Sequence, residues 1–481
     1  MAVYLSSQDP SPPGQYIERV INLMDPKKNV LLDTSQEEAE EALRSGSPSR
    51  IRGIRGQFAF IVQDGKTIRM ARSIGRPMRY FLAKQVHGPC LIVAERIDEI
   101  YRQLVRDGLA DQFHPSYTRM VPAHHLIELQ LVGCPDPNPV HQRFFAPQPN
   151  RLPADIESLG TAYITAIAAE CDAWLDRIEA DAPIGVLFSG GIDSGALVIL
   201  LNHLLLRRGD TPQRLKAFSL AADPCGADAL QARDFLHATN LGMLLEVLEV
   251  SPAAVDWTTA VRIVEDYKPL DIQAAATAIA ALAELRRRYP DWRYVVDGDG
   301  GDENLKDYPI EENPELTIRS VLNNRMLYQE GWGVDAIKHS LVYSGGQSRG
   351  HVRTYAPASV FGFEGFSPYA LPNVIEIAEG IPFIELTHWD HQRLYALKGE
   401  IVGAGIRQVT GVEMPIYPKR RFQHGAFEHD RQESFFPQHA AAYRQAFSQI
   451  FSDHRSLLSD PREYAVTASA LSSTASGSGD G

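Results

Sequence analysis

The stretch "IGVLFSGGIDSGALVILL", residues 184–201, decides the fold. A short, partly β-branched apolar run from Ile184 to Phe188 ends at Ser189, Gly190 and Gly191, and a helical pattern begins near Ser194. A buried strand that turns on glycines into a helix is the repeating unit of a parallel α/β sheet. Such a turn gathers backbone N–H groups and the positive helix end around one small space, a cradle for phosphate. Ser189 and Ser194 add hydroxyl donors, and Gly190 and Gly191 let the backbone approach an anion closely. Asp193 would repel that anion unless a cation lies between them, and a magnesium ion bridging to phosphate oxygens meets the need. The plainer reading is a helix start capped by Asp193 and Ser194.

Working outward, "RLKAFSLA" (214–221) and "WRYVVDGD" (292–299) read as further buried strands, separated by helical patterns such as "IQAAATAIAALAELRRRY" (272–289). This alternation predicts a doubly wound parallel sheet with helices on both faces. Upstream, residues 155–181 read as a helix with an acidic first turn, and Pro147, Pro149 and Pro153 mark a linker before it. The pieces at 56–63, 67–72, 79–84, 90–95 and 124–131 alternate apolar with polar residues between Gly and Pro, as antiparallel strands of an α+β domain do. Residues from 312 to about 450 read as mainly helical, and 466–481 are Ser/Gly/Ala-rich. The expected organisation is a domain at 1–145, a second at 146–465 and a disordered tail at 466–481.

Composition narrows the function. A formal charge of −13 argues against a nucleic-acid partner, which needs clustered Lys and Arg. Cys90, Cys134, Cys171 and Cys225 lack CxxC spacing, so neither a disulfide framework nor a zinc site is indicated. No secretory leader pattern and no run of eighteen apolar residues is present, so a cytoplasmic protein with no membrane partner is expected.

A second loop, "YVVDGDGGDEN" (294–304), sets Asp297, Asp299, Asp302 and Glu303 at the end of one strand, where they repel one another unless a cation or a cationic substrate neutralises them. The first loop, S-G-G-x-D-S, fits neither a Walker loop nor a dinucleotide fingerprint. It resembles the pyrophosphate loop of the ATP pyrophosphatase superfamily, the PP-loop. With Gly298, Asp299, Gly300, Gly301, Asp302 and Glu303 matching G-[DE]-G-x-D-E, the pair of loops resembles the asparagine synthetase family. The resemblance implies that ATP and Mg2+ are the cofactors, that Asp193 and Asp302 hold the magnesium, and that Asp299 lies beside an acyl-adenylate and an incoming amine. "YALKGEI" (395–401) and "YPKRRFQHGAF" (417–427) resemble the family's two lysine-bearing segments. By this likeness Lys398 contacts ATP phosphates and Lys419 balances charge during adenylation and acyl transfer, while adenine lies near Phe218 and Ser219. "GFEGFSPY" (362–369) resembles a degenerate G-x-E-x-R-x-P-F stretch without its arginine.

The order of "GQFAFIVQD" (56–64), "ARSIGRPMRYF" (71–81), "VAERIDEI" (93–100) and "VPAHHLIEL" (121–129) is similar to the glutaminase domain of the same family. That domain carries a nucleophilic cysteine after the initiator Met, where this sequence has Ala2. The expectation is therefore a truncated, degenerate N-terminal-nucleophile-like domain without glutaminase activity, as in the family's β-lactam synthetases and lasso-peptide cyclases. Asp299 stands where the β-lactam subgroup has Tyr, which disfavours β-lactam closure. The expected activity is an AMP-forming carbon–nitrogen ligase joining a small-molecule or peptide carboxylate to an amine in natural-product biosynthesis, with a homodimer as one possible assembly. A base-modifying PP-loop enzyme and a non-catalytic binding protein are the alternatives.

Overall fold

The computed structural model describes residues 3–4, 17, 19–86, 88–130, 139–222, 227–308, 310–311, 317–323, 351–417 and 435–459. These divide into two compact units: Met1–Ala146 joined by Gln445–Asp460 forms one, and the described parts of Pro147–Tyr328 and Val352–Arg444 form the other.

In the first unit the strand patterns become Ala59–Asp64, Thr67–Arg72, Arg79–Ala83, Cys90–Ala94 and His125–Leu129. They fall into two sheets, ordered Val3–Tyr4, Arg19–Asn22, Cys90–Ala94, Arg79–Ala83, Arg119–Met120 and Val140–Arg143, His125–Leu129, Thr67–Arg72, Ala59–Asp64. The pairing is antiparallel except where Arg19–Asn22 runs parallel to Cys90–Val93. One apolar cluster draws on both sheets, with Val20, Tyr80, Leu91 and Val93 from the first and Met70, Ile127 and Leu129 from the second. The His454 ring lies 5.0 Å from that of Tyr101, and Arg102 Nη1 donates to Ser459 O at 3.4 Å. Residues 445–459 thus fold with this unit.

The second unit is built on a five-stranded, all-parallel sheet ordered Leu245–Glu249, Leu215–Ala221, Ile184–Leu187, Tyr294–Val296, Glu364–Phe366. This is the doubly wound α/β arrangement that the sequence predicts. Both outer strands escape the sequence reading: Leu245–Glu249 is half-buried and acid-bearing, and Glu364–Phe366 has three residues around a glycine. The chain lays down strands in one direction from Ile184–Leu187 and then crosses back to Tyr294–Val296. Open α/β sheets bind ligands at the carboxyl ends of the two strands flanking such a reversal.

Two long helices bring a distant segment to that place. Ile156–Arg177 is capped by Asp155, whose Oδ2 accepts from Ser158 N at 2.9 Å. It packs against His391–Thr410 so closely that a Cβ on Gly160 would lie 2.4 Å from Ile401 O, and one on Gly405 would lie 2.2 Å from Gly160 O. Lys398 sits two turns before Gly405 on this clamped helix. No helix among the described residues is long and apolar enough to cross a membrane.

Candidate functional site

The strand Ile184–Leu187 runs into Gly190, whose φ of 75° is left-handed and whose Cβ, if present, would lie 2.7 Å from Ala232 N. Only glycine fits there without moving the neighbouring backbone. Gln231 Nε2 donates to Gly190 O at 3.1 Å and fixes the turn. Gly191 is the extended N-cap of helix Ile192–Arg207, with no side-chain cap bond. The capping alternative therefore fails for Asp193 and Ser194: Ser194 Oγ accepts from Ser189 N at 3.4 Å, and Asp193 points elsewhere. Ser189 Oγ accepts from Gly191 N at 3.3 Å and lies 3.5 Å from Ser194 Oγ. The N–H groups of a first helical turn have no acceptor within the helix, so the loop surrounds its space with donors.

The second loop leaves the strand Tyr294–Val296 beside the first. A Cβ on Gly298 would lie 3.1 Å from Ser194 N, and one on Gly301 would lie 2.2 Å from Asp193 Oδ1. Gly298 and Gly301 of the second motif are therefore what let the two loops touch. Asp297 is buried and accepts from Ser367 Oγ at 2.8 Å and from Asp299 N at 3.0 Å, which shapes the turn.

Lys398 joins the loops. Its Nζ lies 2.6 Å from Asp193 Oδ2 and 3.5 Å from Asp307 Oδ2, and it also donates to Asp302 Oδ1. The side chain is 3% exposed. Burial alone would lower the ammonium's pKa, but the charges of Asp193, Asp302 and Asp307 outweigh it and hold the group well above the ordinary lysine value. Tyr369 Oη donates to Asp193 O at 2.9 Å, and Asn304 Nδ2 donates to Tyr369 O at 2.9 Å, bracing the first helical turn from behind.

Asp299 lies in a second group of charges. Burial pushes its carboxyl up to about 7; the Arg353 guanidinium and Thr354 hydroxyl pull it down, while Glu303 and Asp271 push it higher. Asp297 is raised well above the carboxylate range, first by burial and then by Asp299. Arg353 Nε donates to Asp271 Oδ1 at 3.2 Å. Burial opposes the Arg353 charge, but Asp271, Glu303, Asp299 and Asp302 together raise its pKa and keep it protonated.

The fold thus brings Ser189, Gly190, Gly191, Asp193, Ser194, Gly298, Asp299, Asp302 and Lys398 to one place. Phe218, expected beside adenine, has its ring buried edge-on against Trp292, 5.1 Å between centroids, under Gly185. The strand is covered on both faces, and alternation sends Phe218 into the core. Ser219 is fully buried, and its Oγ has no hydrogen-bond partner among the described residues. Lys419 and the segment after Tyr417 lie outside the described residues, as does the 466–481 tail. Asp307, Arg353, Asp271 and Tyr369 join the site although nothing in the spacing of the motifs pointed to them.

Among the described residues no group of three or more His, Cys, Asp or Glu forms a metal cage. Asp193 and Asp302 nonetheless suit magnesium, which takes one or two carboxylates and completes its shell with phosphate oxygens and water. That both already share one cation shows they can converge on a single positive charge. No curated protein matches the chain. Residues 172–348 match the family model described as asparagine synthase, a span that contains both glycine–aspartate loops and supports a place in the asparagine synthetase family.

Proposed function

We propose that the chain is an ATP-dependent amide-bond ligase that forms AMP and pyrophosphate, with ATP as co-substrate. The supporting observation is the meeting of the Ser189–Ser194 loop with the Gly298–Asp302 loop at the strand reversal, where Asp193 and Asp302 converge on one cation. In this reading the donors of the first loop and the start of helix Ile192–Arg207 bind the phosphates. Asp193 and Asp302 would hold a magnesium ion, which would supply positive charge to offset that of the phosphates. A substrate carboxylate displaces pyrophosphate, and an amine then displaces AMP; holding the two reactants side by side supplies much of the acceleration.

Asp299 is the group we assign to the amine. A carboxylate whose pKa lies near 7 is both ionised enough to accept a proton at neutral pH and basic enough to hold it. Lys419 is proposed, on the sequence alone, to balance the oxyanion of acyl transfer. The amine comes from the substrate itself, from a peptide or from free ammonia, not from glutamine cleaved by this chain. Of the described cysteines, Cys90 is buried and its thiol pushed up to about 12, and Cys171 is buried and raised further, so neither offers the thiolate that a glutaminase needs. A peptide or small-metabolite substrate in the cytoplasm, and an acidic enzyme with no nucleic-acid partner, complete the proposal.

The experiment is substrate-dependent pyrophosphate release, with Asp193→Ala as the control variant. Release by the wild type that vanishes in the variant supports the reading; full release by Asp193→Ala removes Asp193 from the site. Ammonia production from glutamine above background would overturn the claim about the amine source.

A further inference from the structure

The three carboxylates around Lys398 are not equivalent. Asp193 and Asp302 belong to the two loops, whereas Asp307 lies beyond them. After the single turn Gly301–Asn304, Lys306 takes a left-handed φ of 56° and the chain folds back, so that Asp307 N donates to Asp302 O at 2.9 Å. A non-glycine residue in that conformation costs on the order of 1 kcal/mol or more and persists only where its surroundings hold it. Lys306 is held: its side chain is buried, with Nζ 3.8 Å from Glu379 Oε1 and 5.5 Å from the centroid of the Phe383 ring. The reversal returns the Asp307 carboxylate, 9% exposed, to within 3.5 Å of the Lys398 ammonium.

From this geometry we infer that Lys398 is a resident cation competing with divalent metal for Asp193 and Asp302, and that Asp307 is a positioning residue that retains the ammonium when metal takes the other two. The inference rests on the proposed metal site. Two carboxylates converging without a cation repel each other, so the nucleotide-free protein needs Lys398 where it stands. A divalent ion entering the same place meets that buried ammonium as a like charge. Asp307 resolves the conflict because it gives the ammonium a carboxylate that the metal does not need. The long, flexible lysine stem lets the charge shift by a rotamer change without moving the helix, which the Gly160–Gly405 contact holds fixed.

The test is Mn2+ binding to the nucleotide-free full-length protein, followed by electron paramagnetic resonance, in the wild type and in Lys398→Met, Lys398→Arg, Asp307→Asn and Asp193→Asn. Lys398→Met is expected to bind Mn2+ on the order of tenfold more tightly than the wild type, because a buried like charge is removed. Lys398→Arg keeps the charge and the low affinity, Asp307→Asn binds more weakly than the wild type, and Asp193→Asn abolishes the gain in a double variant with Lys398→Met. Equal or weaker binding by Lys398→Met overturns the competition. Binding by Asp307→Asn equal to that of the wild type overturns the role of Asp307, and it remains readable if Lys398→Met does not fold. No nucleotide turns over in this experiment. The predicted order of affinities without any pyrophosphate release would sink the ligase reading alone, and pyrophosphate release with the wrong order would sink only the competition.

Discussion

The hydroxyl of Tyr369 donates to the main-chain carbonyl of Asp193 across 2.9 Å, tying the corner after strand Glu364–Phe366 to the first turn of helix Ile192–Arg207. Tyr369 is fully buried, and its neighbour Asn304 holds it from the other side. The position of the Asp193 carboxylate therefore depends on a residue 176 positions away.

Tyr369→Phe removes this partly buried bond. A hydrogen bond within the protein contributes about 0.5–1.5 kcal/mol, so the urea midpoint should fall accordingly and the reaction should slow because Asp193 is less well held. An unchanged midpoint would show that the bond contributes nothing to the second unit.

Gly301→Ala tests the contact between the loops. Its Cβ would sit 2.2 Å from Asp193 Oδ1, well inside van der Waals contact, so Asp193 must swing away from Lys398 and Asp302. Pyrophosphate release should fall by on the order of a hundredfold, as for an ångström-scale misplacement of a reacting site, while far-ultraviolet circular dichroism stays native. Activity close to that of the wild type would mean that the two loops do not act together.

Asp299 gives opposite signs for activity and stability. Its carboxyl has a folded pKa of about 7 against an ordinary value of 3.8. The folded state therefore binds the proton more tightly than the unfolded chain does. The stability this provides is complete below about pH 4 and lost as pH rises through about 7. Turnover, which needs the ionised base, should instead rise through about pH 7. Asp299→Asn should flatten the stability trend and abolish the rising limb; an unaltered limb would assign the base elsewhere.

Phe218→Leu separates packing from binding. Loss of the edge-on contact with Trp292 and the smaller side chain should cost about 1–3 kcal/mol in a thermal or urea melt. The affinity for ATP should be unchanged. A tenfold loss of ATP affinity without loss of stability would restore the ring to the nucleotide site.

Much of the second unit was legible in the sequence for a physical reason. Gly190, Gly298 and Gly301 stand where a Cβ would strike backbone or Asp193, and so many small and acidic residues after two apolar runs have few other uses. The face to which Phe218 points was not legible, since a parallel strand buried on both faces has no polar alternation to betray it. Asp307 was equally hidden, because it reaches Lys398 only through the left-handed turn at Lys306. Arg353 and Asp271 meet across 82 residues, a separation that no local pattern encodes. The strand Leu245–Glu249 was missed because its acidic, half-buried edge reads as loop.

The central claim is tested most directly by identifying the nucleotide products when the full-length protein is incubated with ATP, Mg2+, a panel of carboxylates and hydroxylamine as a surrogate amine. The account predicts AMP and pyrophosphate formed in step with a hydroxamate, and none of the three with Asp193→Ala. ADP and phosphate in place of AMP, or equal AMP formation by the variant, would contradict it.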